Sequence, residues 1–264
     1  APRTVYYRAG VSAWSTGNDE DALTYLKQAA SAADSVGMHA SYLLGSVYLK
    51  RNEKPLALTA FETSKKFKQD PALAEESLFL SAKINYDLGR ADVSINEFES
   101  VLEQYPQSTH TQEIKELLAQ AYINANNVNK AIAYIESLSQ RSIAVDRAYQ
   151  KATYLKGTEN FNKEDYPQAV SMFEKSLAVP VDSRYVGEAS FWLAETYSIG
   201  KRYEEALPHY EKALAIPGLP ANLVTQLRYG LGYAHYNLQH YDRAVVSFRE
   251  YTNRGTKDPN YLDG

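Results

Sequence analysis

Residues 200–218, with the sequence GKRYEEALPHYEKALAIPG, contain the pattern that decides the fold. Glycine at the start and proline with glycine at the end predict a single helix between them. Within it Ala206, Tyr210 and Ala213 are spaced by four and three residues, which places them on one helical face. A small residue, a ring and a second small residue on one face favour close packing against another helix.

The same order recurs along the chain with a nearly constant period. Its leading small residue, which we call the second-helix slot, is Ala22, Ala57, Ser94, Ala131, Ala169, Ala206 and Ala244. Successive slots are 35, 37, 37, 38, 37 and 38 residues apart. Four residues later stands a large apolar residue: Leu26, Phe61, Phe98, Ile135, Phe173, Tyr210 and Phe248. Twelve residues before each lies the first-helix slot: Gly10, Gly45, Ala82, Ala119, Gly157, Ala194 and Gly232. Seven units in register establish an internal repeat.

Helix geometry explains the slots. Two helices joined by a short polar turn pack tightly if small residues let their backbones approach, and the large residue then fills the space beside the crossing. Turn-forming residues stand between the helices: Gly17, Asn52, Gly89, Asn126, Asn127 and Gly200. Pro55 and Pro167 fall in the first turn of a second helix, where proline is tolerated, whereas Pro208 lies deeper and predicts a slight kink. One pair cannot bury its apolar face alone, so neighbouring pairs must stack.

These residues resemble the tetratricopeptide repeat. The best match is Leu193-Ala194, Tyr197, Tyr203, Ala206, Tyr210, Ala213-Leu214 and Pro217. The resemblance implies an all-α fold, a right-handed α-solenoid of about seven antiparallel helix pairs. We expect a single array over 1–264, with repeats near 3–37, 38–73, 74–110, 111–148, 149–185, 186–222 and 223–257. The period exceeds the family's roughly 34 residues, so helices or loops should be longer.

We expect neither end of the sequence to be a natural terminus. It begins without an apolar leader, and residues 258–264 suggest the start of a further, truncated helix. Because the last full helix still offers Val245, Val246 and Phe248 and no polar capping helix follows, we expect a segment excised from a longer repeat protein.

A narrower resemblance lies at residues 98–122, FESVLEQYPQSTHTQEIKELLAQAY. This run resembles repeats of bacterial envelope proteins, namely the outer-membrane β-barrel assembly lipoprotein and the Tol–Pal coordinating protein. That resemblance implies a periplasmic or outer-membrane-associated protein, with the cytoplasm as the alternative. The simpler interpretation is that Tyr105-Pro106 ends a helix and Ser108 caps the next one. Both interpretations stay open at this stage.

Composition excludes several classes of protein. A hydrophobic share of 44% argues against disorder, and a net charge of −4 without a basic stripe disfavours nucleic acid as a partner, including single strands stacked on aromatic rings. No apolar run reaches the roughly 18 residues of a membrane-spanning helix, so no membrane insertion is expected. Cysteine is absent, which removes disulfides and thiolate chemistry, while tyrosine is abundant with 22 residues.

The sequence offers no catalytic constellation. Nucleotide-binding, metalloprotease and serine-hydrolase motifs are missing. The five histidines are His39, His110, His209, His235 and His240, and none has a carboxylate at ligand spacing. We expect His235 and His240 on different helical faces. In Asn18-Asp19-Glu20-Asp21 the three acidic residues lie at the start of a second helix, where they complement its dipole. We predict no catalytic residues, metal, cofactor or small-molecule substrate, and therefore no enzyme.

The aromatic residues form the one pattern that exceeds packing needs. Three residues before each first-helix slot stand Tyr7, Tyr42, Phe79, Glu116, Tyr154, Phe191 and Tyr229. Four residues after it stand Trp14, Leu49, Tyr86, Ile123, Phe161, Ser198 and Tyr236. In the family this part of the first helix lines a concave groove where peptides or partner helices dock. The candidate groove residues are Tyr7, Trp14, Tyr42, Phe79, Lys83, Tyr86, Tyr154, Phe191, Tyr229 and Tyr236. The alternative is that these rings are inter-repeat core.

The leading hypothesis is a non-enzymatic scaffold that binds a peptide or partner helix in its concave groove, within a bacterial envelope assembly. The alternative is a docking or regulatory segment of a larger enzyme or transport complex. Some members of the family grip a C-terminal carboxylate with lysine and asparagine beside the slots. The residues here are Val11, Ser46, Lys83, Gln120, Thr158, Glu195 and Tyr233, which disfavours that activity.

Overall fold

The computed structural model describes residues 2–255, which form helices joined by turns and contain no strand. The described range holds fourteen helices: α1 (Arg3–Ser15), α2 (Asp19–Ala29), α3 (Ser35–Lys50), α4 (Lys54–Ser64), α5 (Pro71–Asp87), α6 (Ala91–Gln104), α7 (Thr111–Asn124), α8 (Val128–Glu136), α9 (Ile143–Asn162), α10 (Tyr166–Leu177), α11 (Ser183–Ile199), α12 (Tyr203–Leu214), α13 (Ala221–Asn237) and α14 (Tyr241–Gly255). The predicted all-α class is confirmed. The further helix expected at residues 258–264 lies outside the described residues.

The helices belong to two compact units, Ala1–Asn126 and Asn127–Gly264, which we call unit 1 and unit 2. In unit 1, α1 packs on α2, α3 on α4 and α5 on α6; in unit 2, α9 packs on α10, α11 on α12 and α13 on α14. Within each unit the second helix of a pair also contacts the first helix of the next pair. Stacked helical hairpins of this kind are the building principle of an α-solenoid. The continuity of one array over the whole chain stays a prediction.

The slots occupy the core, as predicted. All fourteen slot residues are buried. Side chains of the second helices pack directly onto the glycines of the first: a Cβ added at Gly45 would lie 2.7 Å from the Phe61 ring, and one at Gly157 would lie 2.6 Å from Phe173. The large residue therefore sits on the first-helix slot itself rather than beside the crossing. At Gly45 and Gly157 an added side chain would occupy the space of the ring, so the ring as placed requires glycine at these two slots.

The turns inside the repeats share one backbone feature. Each has a single residue in the left-handed region, with φ between 57° and 77°, five residues before the second-helix slot: Gly17, Asn52, Gly89, Asn126, Glu164, Lys201 and Gln239. After Gly17, Asn52, Gly89, Glu164, Lys201 and Gln239 the next N–H donates to the carbonyl five residues earlier, as from Arg202 to Tyr197 at 2.8 Å, which closes the helix end. Gly200 lies in the turn after α11, as predicted, but its φ is −73° and Lys201 takes the left-handed position.

The longer period is absorbed by the first helices. In unit 2, α9 has 20 residues and α11 and α13 have 17 each, whereas α10 and α12 have 12. Pro55 and Pro167 lie in the first turns of α4 and α10, as predicted, and α12 continues through Pro208 to Leu214. The extra residues of this repeat thus widen the surface that first helices offer.

Helix ends explain two local sequence features. Asn18 caps α2 by accepting a hydrogen bond from the Asp21 N–H at 3.2 Å, so the acidic run is the first turn of a helix, as expected. Helix α6 ends at Gln104, before Tyr105-Pro106. The prediction that Ser108 caps the next helix is wrong, because α7 begins three residues later with His110 at the N-cap. Ser108 instead orders the preceding turn by accepting from the His110 N–H at 3.1 Å.

Replacing Glu164 by glycine should raise the free energy of unfolding by about 1 kcal/mol, because a left-handed backbone strains any residue with a Cβ. Glu164 is exposed with a φ of 61°, so the change removes no buried contact. The matched reverse change, Gly89→Ala, should destabilise by a similar amount, because Gly89 has a φ of 72°. Nothing lies within 4 Å of the added Cβ, so the change introduces no clash and reports the backbone strain alone. Urea denaturation of both variants tests this, and shifts of equal sign would contradict it.

Candidate functional site

The ten candidate groove residues differ widely in exposure. Three are exposed: Trp14, Tyr229 and Tyr236. Five are half-buried: Tyr7, Tyr42, Lys83, Tyr86 and Tyr154. Two are buried: Phe79 and Phe191. Because some are exposed and others are buried, neither the groove nor the core interpretation describes the whole set. The ten residues are also divided between the two units.

Phe79 and Phe191 must be removed from the candidate binding residues. Only 2% of Phe79 and 5% of Phe191 is exposed to solvent. Phe79 stacks on the His110 ring at 3.8 Å between centroids, and Phe191 packs on Trp192 at 5.0 Å. For these two positions the core interpretation is correct, because no ring face is left for a partner.

The exposed rings concentrate in unit 2, on α13 and the start of α14. Tyr229, Tyr233, Tyr236 and Tyr241 are 51%, 43%, 58% and 56% exposed. Tyr229 and Tyr233 are stacked with centroids 6.4 Å apart, and Tyr236 contacts Tyr241 edge-on at 5.8 Å. We call these four residues, which form a nearly continuous set of accessible rings, the tyrosine face. Sequence reasoning found Tyr229 and Tyr236 but missed Tyr233 and Tyr241.

Beside the tyrosine face lies a pocket of about 440 Å³ between α11, α12 and α13, which we call the tyrosine pocket. Its walls are Glu195, Ser198, Ile199, Lys201, Tyr203, Tyr210, Tyr229, Gly230 and Tyr233. Tyr203 and Tyr233 meet edge-on, with ring centroids 6.0 Å apart. The pocket therefore combines aromatic walls with a carboxylate, and it opens onto the accessible rings of α13.

The repeat register explains why the pocket is there. At the junction of α9 and α11, the residue four positions after one first-helix slot contacts the residue two positions before the next slot: the Phe161 and Trp192 ring centroids lie 4.9 Å apart. Within each unit the equivalent positions in the sequence are Trp14 and Leu43, Leu49 and Leu80, Tyr86 and Leu117, Phe161 and Trp192, and Ser198 and Gly230. Only the last pair is small on both sides. The short side chain of Ser198 leaves space for the tyrosine pocket, while Gly230 accommodates the Tyr210 ring that forms part of its wall.

Tyr210 and Glu195 give the pocket its polar floor. Tyr210 is fully buried, and its hydroxyl donates a hydrogen bond to Glu195 Oε1 at 2.6 Å. A Cβ at Gly230 would lie 2.6 Å from the Tyr210 ring, so the ring fits only against glycine. Burial raises the pKa of Glu195, and the Tyr210 hydrogen bond opposes that rise. Burial, followed by the neighbouring carboxylate, raises the pKa of Tyr210. In the described part of the chain no second side-chain donor reaches Glu195.

The histidines near the tyrosine face differ from expectation. His235 at the end of α13 is 3% exposed, and its Nδ1 lies 3.4 Å from that of His240. The prediction of different faces is wrong because His240 follows the turn, which folds it back. Among residues 2–255, no group of three His, Cys, Asp or Glu side chains could hold a metal ion, and no helix there has the length and apolar character to cross a bilayer.

Acidification should destabilise unit 2. Burial lowers the pKa of His235, with His240 and Arg243 adding to the effect and Glu211 opposing it. Burial and Lys212 likewise lower the pKa of His209. A depressed folded pKa means that stability is fully present above pH ~6.5 and is lost as the pH falls through the folded value. Urea denaturation between pH 7.5 and about 5 measures how the free energy of unfolding depends on pH. His235→Gln should make this dependence on pH less steep, and an unchanged dependence in His235→Gln would contradict the prediction.

Comparisons with known proteins agree with the helical hairpins. Two family models described as tetratricopeptide repeat match, one at residues 7–74 and 154–220 and the other at 76–108. The first alone covers more than half of the chain. No curated protein sequence matches.

Solved structures match the chain at low sequence identity. One is the C-terminal part of a repeat-containing protein from Cytophaga hutchinsonii, with 16% identity, a TM-score of 0.55, and 97% of this chain and 98% of that one covered. A second, from Parabacteroides merdae, has 15% identity, a TM-score of 0.47, and coverage of 99% and 96%. A third is the TPR2AB domain of yeast Sti1 in its pHSP90 complex, with 16% identity, a TM-score of 0.36, and coverage of 85% and 93%.

Proposed function

The chain belongs to the tetratricopeptide repeat family, and from that membership we propose that it is a non-enzymatic scaffold that binds a segment of a partner protein through the tyrosine face of unit 2. Proteins of this family generally mediate protein–protein interactions. We place the scaffold in a bacterial envelope assembly, in the periplasm or at the outer membrane.

The exposure of the tyrosine face is the observation that supports the proposal. Tyr229, Tyr233, Tyr236 and Tyr241 leave 43–58% of their surface open to solvent. Rings of this kind are rigid, apolar on their faces and polar at the tip, so they bury much area at a low entropic cost when a partner covers them. By contrast, the neighbouring first-helix rings Phe161 and Trp192 pack against each other, as expected for rings that serve only the packing of the helices.

Peptide selection tests the binding activity. A random peptide library is displayed against the full chain, and an enriched peptide is titrated by calorimetry. Tyr229→Ala and Tyr236→Ala should each weaken binding by about tenfold or more, as expected for central aromatic contacts. Trp14→Ala is the matched control, because Trp14 is 42% exposed but lies in unit 1. Failure to enrich any peptide, or equal losses for all three variants, would contradict the proposal.

The envelope assignment is supported by the run at residues 98–122, and it has its own test. A tagged full-length protein in its native cell should fractionate with the periplasm or outer membrane, and it should become protease-sensitive once the outer membrane is permeabilised. Recovery in the cytoplasm with protection from protease would overturn this part and leave the binding activity standing.

A further inference from the structure

We propose that the tyrosine pocket binds the side chain of an arginine in the partner segment, with the guanidinium group against Glu195 and the tyrosine rings. This inference rests on the proposed function, because it names the residue that a bound polypeptide would insert. It goes further in assigning a specificity site to one junction of the array, between α11 and α13.

The charge of the pocket favours a cation. Glu195 is half-buried and accepts one hydrogen bond, from the Tyr210 hydroxyl at 2.6 Å. An ionised carboxylate can accept roughly four hydrogen bonds, so most of its capacity is left unused. Partial burial of an underused carboxylate is unfavourable unless a cation or further donors reach it. A ligand that brings several donors and a positive charge would therefore stabilise this wall.

The aromatic walls favour a planar cation over a compact one. Tyr203 meets Tyr233 edge-on at 6.0 Å, and Tyr229 lies nearly parallel to Tyr233. Ring faces attract cations, and guanidinium groups stack on them more often than ammonium groups do. Arginine also presents five donors in one plane, which suits a carboxylate with phenol oxygens around it. Lysine offers a compact, strongly hydrated charge that stacks less well.

The pocket has room for one long side chain. Its volume of about 440 Å³ is near the lower end of the roughly 300–1,000 Å³ typical of ligand sites. Lys201 is the one cation among the lining residues, and it is exposed, so solvent screens its repulsion. An anionic ligand would meet Lys201 at the surface but would have to approach the carboxylate of Glu195 inside.

Capped pentapeptides test the assignment. Each has four glycines around one central arginine, lysine, norleucine or glutamate, and binding to the full chain is followed by NMR titration. The arginine peptide should bind about tenfold or more tighter than the norleucine peptide, and its affinity should fall as the pH is lowered through the pKa of Glu195. Glu195→Gln, which keeps the shape, should remove this preference and leave the norleucine peptide unchanged.

A second variant tests the location. Ser198→Phe introduces at this junction the ring that Phe161 supplies at the previous one, and it should abolish binding of the arginine peptide without the clash that a change at Gly230 would cause. Thermal unfolding confirms that each variant is folded. Equal binding of arginine and norleucine, preference for glutamate, no binding below about 10 mM, or no effect of Ser198→Phe would each overturn the assignment.

The outcomes separate this inference from the proposed function. An enriched library peptide that lacks arginine but depends on Tyr229 and Tyr236 would leave the scaffold function standing and overturn the arginine pocket. Tight binding of the arginine pentapeptide without any enriched library peptide would leave the tyrosine pocket as an arginine-binding site and overturn the tyrosine face as a peptide-binding surface.

Discussion

Replacing Phe173 by alanine is expected to lower the free energy of unfolding of unit 2 by about 3–5 kcal/mol. Phe173 is fully buried, and its ring lies on Gly157, with the Tyr154 ring centroid 6.4 Å away. Glycine has no side chain to move into the vacated space, so the cavity cannot collapse easily. Urea denaturation of the full chain, followed by far-ultraviolet circular dichroism, measures the change.

A compensating substitution provides the control for that result. Gly157→Leu alone should destabilise by about 1–3 kcal/mol or more, because its Cβ would lie 2.6 Å from the Phe173 ring. In the Phe173→Ala protein the same leucine fills the cavity, so the double variant should be more stable than Phe173→Ala alone. Simple addition of the two losses would contradict the direct packing of ring on glycine.

Replacing Lys65 by methionine should destabilise unit 1 by about 2–3 kcal/mol. Lys65 Nζ lies 2.7 Å from Glu62 Oε1 and 2.6 Å from Glu97 Oε1 between α4 and α6. Burial opposes ionisation of Glu62, but the hydrogen bond and charge of Lys65 outweigh it and hold the pKa below 4.5. Without Lys65, two carboxylates face each other, which costs about 3–5 kcal/mol in a fully buried pair. The side chain of Glu62 is 39% exposed, so solvent reduces the cost.

The Lys65 prediction has a pH signature and a control. A carboxylate with a depressed folded pKa stabilises the protein above its unfolded pKa, near 4.5 for Glu62, and this contribution is lost as the pH falls through the folded value. The wild-type advantage over Lys65→Met should therefore shrink on acidification. Adding Glu62→Gln and Glu97→Gln should restore most of the stability at neutral pH. A loss below about 0.5 kcal/mol would mean that the network is energetically neutral.

The sequence predicted the fold because packing in a repeat leaves a periodic trace. Gly45 and Phe61 contact each other, and their counterparts recur every 35 to 38 residues, so one physical requirement appears seven times. A single pair of this kind would be indistinguishable from chance. Helix class, slot burial and the position of the turns follow from that register.

Features that occur once were less predictable. Lys201 adopts a left-handed backbone that favours glycine, because the neighbouring helices fix the turn more strongly than the preference of one residue. Phe79 and Phe191 were placed on a groove, although facing side chains bury them. The signal of the tyrosine pocket was present in Ser198 and Gly230, but only a comparison of paired positions in consecutive repeats reveals it.

Under the proposed arginine assignment, the small residues Ser198 and Gly230 would provide a recognition site in this architecture without an additional loop or insertion. Two side chains are small at one junction, while the packing of the surrounding helices is unchanged. Transplanting the pair, for instance by Phe161→Ser with Trp192→Gly, would open an equivalent recess one repeat earlier. Substitutions alone would thus move the position of a binding site along such an array, without any change in its length or topology.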